Sequence, residues 1–344
     1  MEIRENQPLA PLTTFGIGGP ARWFAEAKDE LDIADACAWA SERSLPLFVL
    51  GGGSNVLVSD AGFAGLVLRI AVKGIEQEGG LFCAGAGENW DEFVQRAVDA
   101  GCAGVECLAG IPGTVGGTPV QNVGAYGQEV ASAIERVRVF DRLAQEFVEF
   151  TNAECGFRYR HSRFNTTERG RYIVTRVDYQ LLENATPQLA YQDLAAHFAN
   201  ASKSPSVVEV AAAVREIRQR KGMLYLESEP DCRSAGSFFK NPEVMMDVAD
   251  RVRQIAADTG ISLRTYPAGE GRVKIPAAWL IEQAGFKKGT TLGAAGISTR
   301  HTLALTNRGG AKAGEILALA EKIAAVVEAR FGIRLEREPE LVGF

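Results

Sequence analysis

Several signatures that would assign a chemistry at a glance are missing from this 344-residue chain. No apolar run approaches the roughly 18 residues that suggest a membrane span. The opening MEIRENQPLAPLTTFG is polar and proline-broken, with no signal-peptide apolar core. A cytoplasmic location with no membrane span is therefore expected. Histidine is scarce: His161, His197 and His301 are the only ones, and none sits at ligand spacing with another ligand, so no metal is expected. The six cysteines form no CxxC pair and read as reduced thiols. Lys+Arg 37 against Asp+Glu 43 gives a formal charge of −6, which removes the whole-protein basic field of a nucleic-acid binder. There is no GK[ST] phosphate loop and no GxSxG nucleophile elbow.

Glycine is what the chain has in excess, 37 of 344 residues, or about 11% against an average of roughly 7%. The length suggests two or three domains. A helix is expected from about Asp29 to Arg43, followed by strands at Leu45 to Leu50, Val56 to Val58 and Leu66 to Ile70, an α/β alternation. Asn89-Trp90-Asp91-Glu92 reads as a helix start and Gly101 as its stop. Strands are expected at Arg136 to Phe140 and Glu146 to Phe150. The alternation Ile173, Thr175, Val177, Tyr179, Leu181 reads as a half-buried strand. A helix from Ser206 to Arg220 places Val207, Val210, Val214 and Ile217 on one face, with Arg215, Arg218 and Lys221 as a basic stripe beside it. LYLESEPDCRSAG then reads as a linker. Pro276 to Gly285 and Lys312 to Arg330 read as helices, and Leu335 to Val342 as a closing strand.

Four segments carry candidate chemistry. GGGSNVLV, Gly51 to Val58, follows an apolar strand and can present backbone N–H groups to a diphosphate, with Ser54 and Asn55 as added donors. Val56 stands where a dinucleotide fingerprint needs its third glycine, and a tight strand-to-strand turn is the plainer alternative. AGIPGTVGGTPVQNVGAYGQEV, Ala109 to Val130, is an irregular glycine- and proline-rich stretch too long to be an idle loop, and reads as backbone wrapped around something flat and polar. CGFRYRHSRF, Cys155 to Phe164, gathers Arg158, Arg160 and Arg163. In a strand the first two share a face, suited to a carboxylate or phosphate or to a solvated basic edge. AGSFFKNP holds Ser237 with Lys240 and Asn241 nearby. With so few histidines available, proton donation suits this serine better than nucleophilic attack.

Taken in order, TTFGIGGPA, LGGGSNVLVSD, AGIPGTVGG with PVQNVGAYGQEV, YRHSRF, AGSFFKNP and AAWLIEQAGFKKG resemble the UDP-N-acetylenolpyruvoylglucosamine reductase family over nearly the whole chain. The resemblance implies an α+β fold: an FAD-binding domain of the para-cresol-methylhydroxylase type, made of two α/β subdomains, plus a smaller α+β substrate-binding domain. Residues 1–72 with 335–344 would form the first subdomain, 73–220 the second, and 221–334 the substrate domain. FAD would be held by Gly51, Gly52, Gly53, Ser54, Asn55 and Val56, and by Ile111, Gly116, Gly117, Thr118, Val120, Val123, Gly124 and Ile173. The family's catalytic arginine and serine fall on Arg160 and Ser237. Tyr191 in LAYQDL, Arg218, Lys221, Lys240 and Asn241 would bind the substrate, UDP-N-acetylglucosamine enolpyruvate, with NADPH as reductant.

Two departures from the family pattern stand out. The closing Leu335-Glu336-Arg337-Glu338-Pro339-Glu340-Leu341 is longer than the family's ending. Alignment on the proline makes Glu340 the catalytic glutamate, with Glu338 the alternative register. Asn165 stands where many members carry lysine. The implied chemistry is hydride delivery from NADPH through FAD to the vinyl carbon. Arg160 and the glutamate would stabilise the enolate formed on the substrate carboxylate, and Ser237 would protonate the adjacent carbon, in a chain acting as a monomer. An oxidase of small alcohols on the same fold, and a non-catalytic nucleotide-sugar binder, are the two rival readings.

Overall fold

Asp29 accepts a hydrogen bond from the Asp32 N–H at 2.9 Å and so starts the helix Glu30–Glu42, whose Ile33, Ala36 and Ala40 are buried. The computed structural model describes residues 1–187, 189, 191–226, 228–229, 231–257, 260 and 262–344. These form two compact units, one of Met1–Leu12, Pro20–Gly53 and Gly62–Arg220, the other of Thr13–Gly19, Ser54–Ala61 and Lys221–Phe344.

The first unit holds two sheets. One runs Ile3–Pro8, Pro20–Ala27, Phe63–Ile70, Leu47–Leu50. Its first pair is antiparallel and its last two pairings are parallel. The Glu30–Glu42 helix joins Pro20–Ala27 to Leu47–Leu50, the two parallel strands that flank Phe63–Ile70. The other sheet is antiparallel in the order Glu146–Thr151, Ile134–Asp141, Tyr172–Gln180, Leu81–Gly85, Ile75–Glu78.

Its central strand departs from the expected half-buried alternation, because Val174 and Asp178 are buried along with Thr175, Val177 and Tyr179. Ion pairs cover the polar positions: Arg176 holds Asp178 at 2.7 Å, and Glu30 of the first helix takes Arg138 at 2.7 Å and the Thr175 hydroxyl at 2.8 Å. Asn89 caps the helix Trp90–Asp99, and Ser206 with Glu209 forms a reciprocal cap for Val207–Arg220. Trp90, Phe93 and Tyr179 stack at the centre of the core, with Phe93 and Tyr179 ring centroids 4.7 Å apart.

In the second unit the helix Ala313–Phe331 buries Ile316, Ala320, Ile323 and Val327. A three-stranded antiparallel sheet, Thr291–Leu292, Ala295–Ile297 and Leu305–Asn307, adds Ala295, Ile297 and Leu305 to the same core. Val56–Val58 pairs in parallel with Glu340–Val342. The closing strand is shorter than expected, since Pro339 has no N–H to give a ladder and only Arg337 bridges, to Phe239. The expected linker is also not one. Asp231, 2% exposed, accepts from the Ser298 hydroxyl and from the Thr299 N–H and hydroxyl, and Ser234 bridges Thr306. Glu227 and Pro230 of that stretch, and Ala190 of LAYQDL, lie outside the described residues. Among the described residues no helix is long and apolar enough to cross a membrane, no acid–thiol–imidazole group could hold a metal ion, and all six cysteines are free.

Candidate functional site

Leu47–Leu50 delivers the chain to Gly51 and Gly52. A Cβ on Gly52 would stand 2.6 Å from the Gly113 Cα, and one on Gly51 would stand 2.9 Å from the Thr114 hydroxyl oxygen. The two glycine-rich segments therefore meet main chain to main chain, and any side chain on Gly52 would force them apart. The second segment is stitched to its surroundings by its backbone: Trp90 N–H donates to Gly113 O, Val115 N–H to Glu88 O and Gly116 N–H to Ala86 O. A Cβ on Gly117 would meet nothing within 4 Å. The next residue turns inward. The Thr118 hydroxyl, 2% exposed, donates to Val115 O at 2.8 Å and lies 2.7 Å from the Tyr179 hydroxyl. Ile173 is 1% exposed on the central strand. Ile111, Val120, Val123 and Gly124 are half-buried on the second glycine segment.

Arg158 and Arg160 do not share a strand face. Arg158 and His161 exchange both N–H···O bonds at 3.0 Å, closing a turn in which Arg160 has φ +56°. A local and a long-range contact hold it: His161 Nδ1 lies 2.8 Å from Tyr159 O, and the Ser162 hydroxyl, 1% exposed, donates to Val120 O at 2.6 Å. The turn is thereby bent against the second glycine segment. The Arg160 guanidinium donates to Gly124 O at 2.7 Å and to Asn122 O at 3.4 Å. Two carbonyls fix the plane of the fork. Asn122 at φ +46° and Tyr126 at φ +50° are also left-handed. Each such backbone costs on the order of 1–3 kcal/mol and persists only where its surroundings over-determine it. Arg163 is occupied elsewhere, paired with Glu168 at 2.6 Å and stacked on Phe150.

The basic stripe on Val207–Arg220 is not a solvated face. Arg215 grips Asp91 through two bonds of 2.6 and 2.8 Å, and Asp91 also accepts from the Gly110 N–H at 2.6 Å. Arg218, 6% exposed, donates to Gly110 O at 3.0 Å and hydrogen-bonds Tyr126; burial pushes its pKa below the ordinary guanidinium value. The Tyr191 ring stands edge-on to Tyr126 with centroids 5.4 Å apart, at the start of the helix Gln192–His197. Arg218, Tyr126 and Tyr191 are thus brought together. Asp91 was legible only as a helix-start residue, and nothing in its neighbourhood announced that it latches Gly110.

In the second unit Ser237 follows Gly236 (φ +71°) and precedes Phe238 and Phe239, which are 1% and 3% exposed. It is half-buried, and no hydrogen-bond partner for its hydroxyl occurs among the described residues. Main-chain bonds hold the segment: Phe238 N–H to Leu303 O, Glu338 N–H to Phe238 O and Lys240 N–H to Glu336 O, all within 2.8 to 2.9 Å. The Thr14 hydroxyl donates to Ser234 O at 2.6 Å, a role for TTFG that the sequence did not suggest. Lys240 pairs with Glu336 at 3.7 Å, and Asn241 accepts from Ala277 N–H at 2.8 Å, capping the helix Ala277–Gln283. Asn55 donates to Glu338 O at 3.3 Å. Glu338 is half-buried one rung from Ser237, whereas Glu340 is exposed. Lys221 is half-buried at the start of the unit's longest segment, Lys221–Phe344. Burial pushes the Cys107 and Cys155 thiols up to about 12, which leaves neither as a nucleophile.

Two family profiles match in tandem: an FAD binding domain over residues 21–145, and the C-terminal domain of UDP-N-acetylenolpyruvoylglucosamine reductase over residues 226–342. The reductase of that name from Streptomyces coelicolor is 46% identical, covering 98% of this chain and 90% of its own. The one from Thermobifida fusca is 43% identical over 98% and 97%. Among solved structures, the same-named reductase of Thermus caldophilus aligns with a TM-score of 0.68 at 28% identity, over 99% of this chain and 98% of its own. The 6-hydroxy-D-nicotine oxidase of Arthrobacter nicotinovorans aligns with a TM-score of 0.54 over 97% and 86%, at 15% identity, a likeness of fold alone.

Proposed function

The chain belongs to the UDP-N-acetylenolpyruvoylglucosamine reductase family, and from that membership we propose how its own residues divide the reduction. The protein is an oxidoreductase of peptidoglycan precursor synthesis that converts UDP-N-acetylglucosamine enolpyruvate to UDP-N-acetylmuramate with NADPH and FAD. Its fold is α+β, with an FAD-binding domain of the para-cresol-methylhydroxylase type.

The residues present fit FAD. Two glycine segments that admit no Cβ where they meet, and that open to space at Gly117, suit a flat cofactor gripped by main chain. Gly51, Gly52, Gly53, Ile111, Gly116, Gly117, Val120, Val123 and Gly124 of the first unit would hold it, with Ser54, Asn55 and Val56 continuing the loop. Thr118 and Ile173 would brace it from the core. FAD, when bound, relays the reducing equivalents of NADPH to the vinyl carbon.

An enol ether is electron-rich and resists reduction unless its carboxylate takes up the charge that develops. Arg160 would receive that charge as an enolate through a fork whose plane is already set by Gly124 O and Asn122 O. That preset, left-handed arginine is the observation that carries the reading. Ser237 would protonate the adjacent carbon; its hydroxyl is bound to no described residue and so holds its proton for a ligand. Of the two closing glutamates, the half-buried Glu338 suits the catalytic role better than the exposed Glu340. Tyr191, Arg218, Lys221, Lys240 and Asn241 would bind the UDP-sugar. Of these, Arg218 would act through Tyr126. Six free thiols suit a reducing compartment, which supports action in the cytoplasm. The chain would act there as a monomer.

The test is anaerobic NADPH oxidation followed at 340 nm, with and without the enolpyruvyl UDP-sugar. Sustained oxidation only with that substrate is expected. A single stoichiometric reduction of bound flavin, with no turnover on adding substrate, would overturn the assignment.

A further inference from the structure

The turn that carries Arg160 is held by two side-chain amides for which the reductase reading has no use. Asn122 is 1% exposed; its Nδ2 donates to Arg158 O at 3.1 Å and to a Glu129 carboxylate oxygen at 2.8 Å, and its Oδ1 accepts from Ala131 N–H at 3.1 Å. Carbonyl and carboxylate oxygens only accept and a peptide N–H only donates, so the amide has one possible orientation. Asn165 works from the other end of the turn: its Nδ2 donates to Arg160 O at 3.1 Å and its Oδ1 accepts from Ser162 N–H at 2.9 Å. The carbonyls of Arg158 and of left-handed Arg160 each take a hydrogen from an asparagine. The main-chain carbonyl of the same Asn122 also receives the Arg160 guanidinium.

We propose that Asn122 and Asn165 are positioning residues that clamp the Arg158–His161 turn and thereby aim the Arg160 guanidinium. The proposal rests on the reading of Arg160 as the group that takes the substrate carboxylate. Neither asparagine touches substrate in this account; each acts through Arg160. Asn165 is the more telling of the two, because a lysine at that position could donate to Arg160 O but has no acceptor for the Ser162 N–H. This chain therefore closes the turn with an atom that lysine lacks.

The test separates the two half-reactions by anaerobic rapid mixing, reading flavin absorbance, in Asn165→Ala, Asn122→Ala, Arg160→Ala and the Asn165→Ala/Arg160→Ala double variant. Asn165→Ala is expected to slow reoxidation of the reduced enzyme by the enolpyruvyl substrate about 10- to 100-fold, the scale of an ångström-sized misplacement. Reduction by NADPH and the melting temperature should stay near those of the parent. In the Arg160→Ala background, removal of the Asn165 amide should add nothing, because the group it aims is gone. Asn122→Ala should slow the same step; if that buried variant fails to fold, the half-buried Asn165 still decides the matter. Equal slowing of both half-reactions, or a full additive loss in the double variant, would overturn the clamp. So would an unaffected Asn165→Ala beside a slow Arg160→Ala. A parent-like second half-reaction in Arg160→Ala would overturn the carboxylate reading itself, and the clamp with it.

Discussion

The Arg160 turn and the Ser237 segment are held in place by opposite means. Arg160 sits in a backbone conformation its residue type disfavours, in a turn closed by the Arg158–His161 main-chain pair and braced by side chains: two asparagine amides and the Ser162 hydroxyl. Ser237 sits in a segment held by main chain, through the rungs to Leu303 and to the chain end, with Phe238 and Phe239 as buried anchors. The difference teaches where each site is vulnerable. A turn braced by side chains loses its aim when one amide is removed. A ladder built from backbone tolerates most neighbouring substitutions and fails only when the anchor beneath it is emptied.

The largest effect that sharpens this contrast falls on the arginine. Arg160→Lys keeps the charge and loses the fork that Gly124 O and Asn122 O orient. Turnover with the enolpyruvyl substrate should fall by roughly 10²- to 10³-fold, measured as kcat, with NADPH reduction of the flavin preserved. On the serine side the matching blow is to stability. Phe238 is 1% exposed and packs edge-on against Phe15 and Phe239, so Phe238→Ala should cost about 3–5 kcal/mol in thermal or denaturant unfolding. If that variant instead kept its stability and lost only catalysis, the ladder would not be what holds Ser237.

A smaller effect is expected at Thr14, whose hydroxyl is a side-chain tie on the otherwise main-chain-held segment. Thr14→Val leaves Ser234 O without its donor and should cost about 1–3 kcal/mol in chemical denaturation, with the second half-reaction slowed only modestly. The smallest effect is a baseline remote from both devices. The Arg171 hydrogen bonds to Asp141 hold its carboxyl down at about 2 against an ordinary 3.8. The stability this supplies is fully present above about pH 4 and is lost as pH falls toward 2. Asp141→Asn should flatten that limb of the melting-temperature profile while leaving activity near neutrality unchanged.

Much of the fold was legible because local signals and packing agree. Asn89 and Asp29 cap where short polar side chains precede apolar periodicity, and Ile316, Ala320, Ile323 and Val327 fall on the buried face that their spacing sets. The central strand was misread as half-buried because periodicity cannot see Arg176 and Glu149 covering the other face. For the site, motifs put forward Arg160 and Ser237, and the proposed function keeps both. The site was not legible where long-range contacts decide: Arg158 and Arg160 alternate on paper but sit in a turn, and the apparent basic stripe of Arg215 and Arg218 is spent on Asp91 and Gly110, more than a hundred residues away. Asn165 reads as a departure from the family pattern and turns out to close the turn.

The central claim is a division of labour, charge on Arg160 and proton from Ser237. Anaerobic rapid mixing of Ser237→Ala tests it most directly, with the two half-reactions timed separately. The account expects flavin reduction by NADPH at close to the parent rate, and reoxidation by the enolpyruvyl UDP-sugar slowed by roughly 10²- to 10⁴-fold. Equal loss in both halves, or reoxidation at the parent rate, would contradict it.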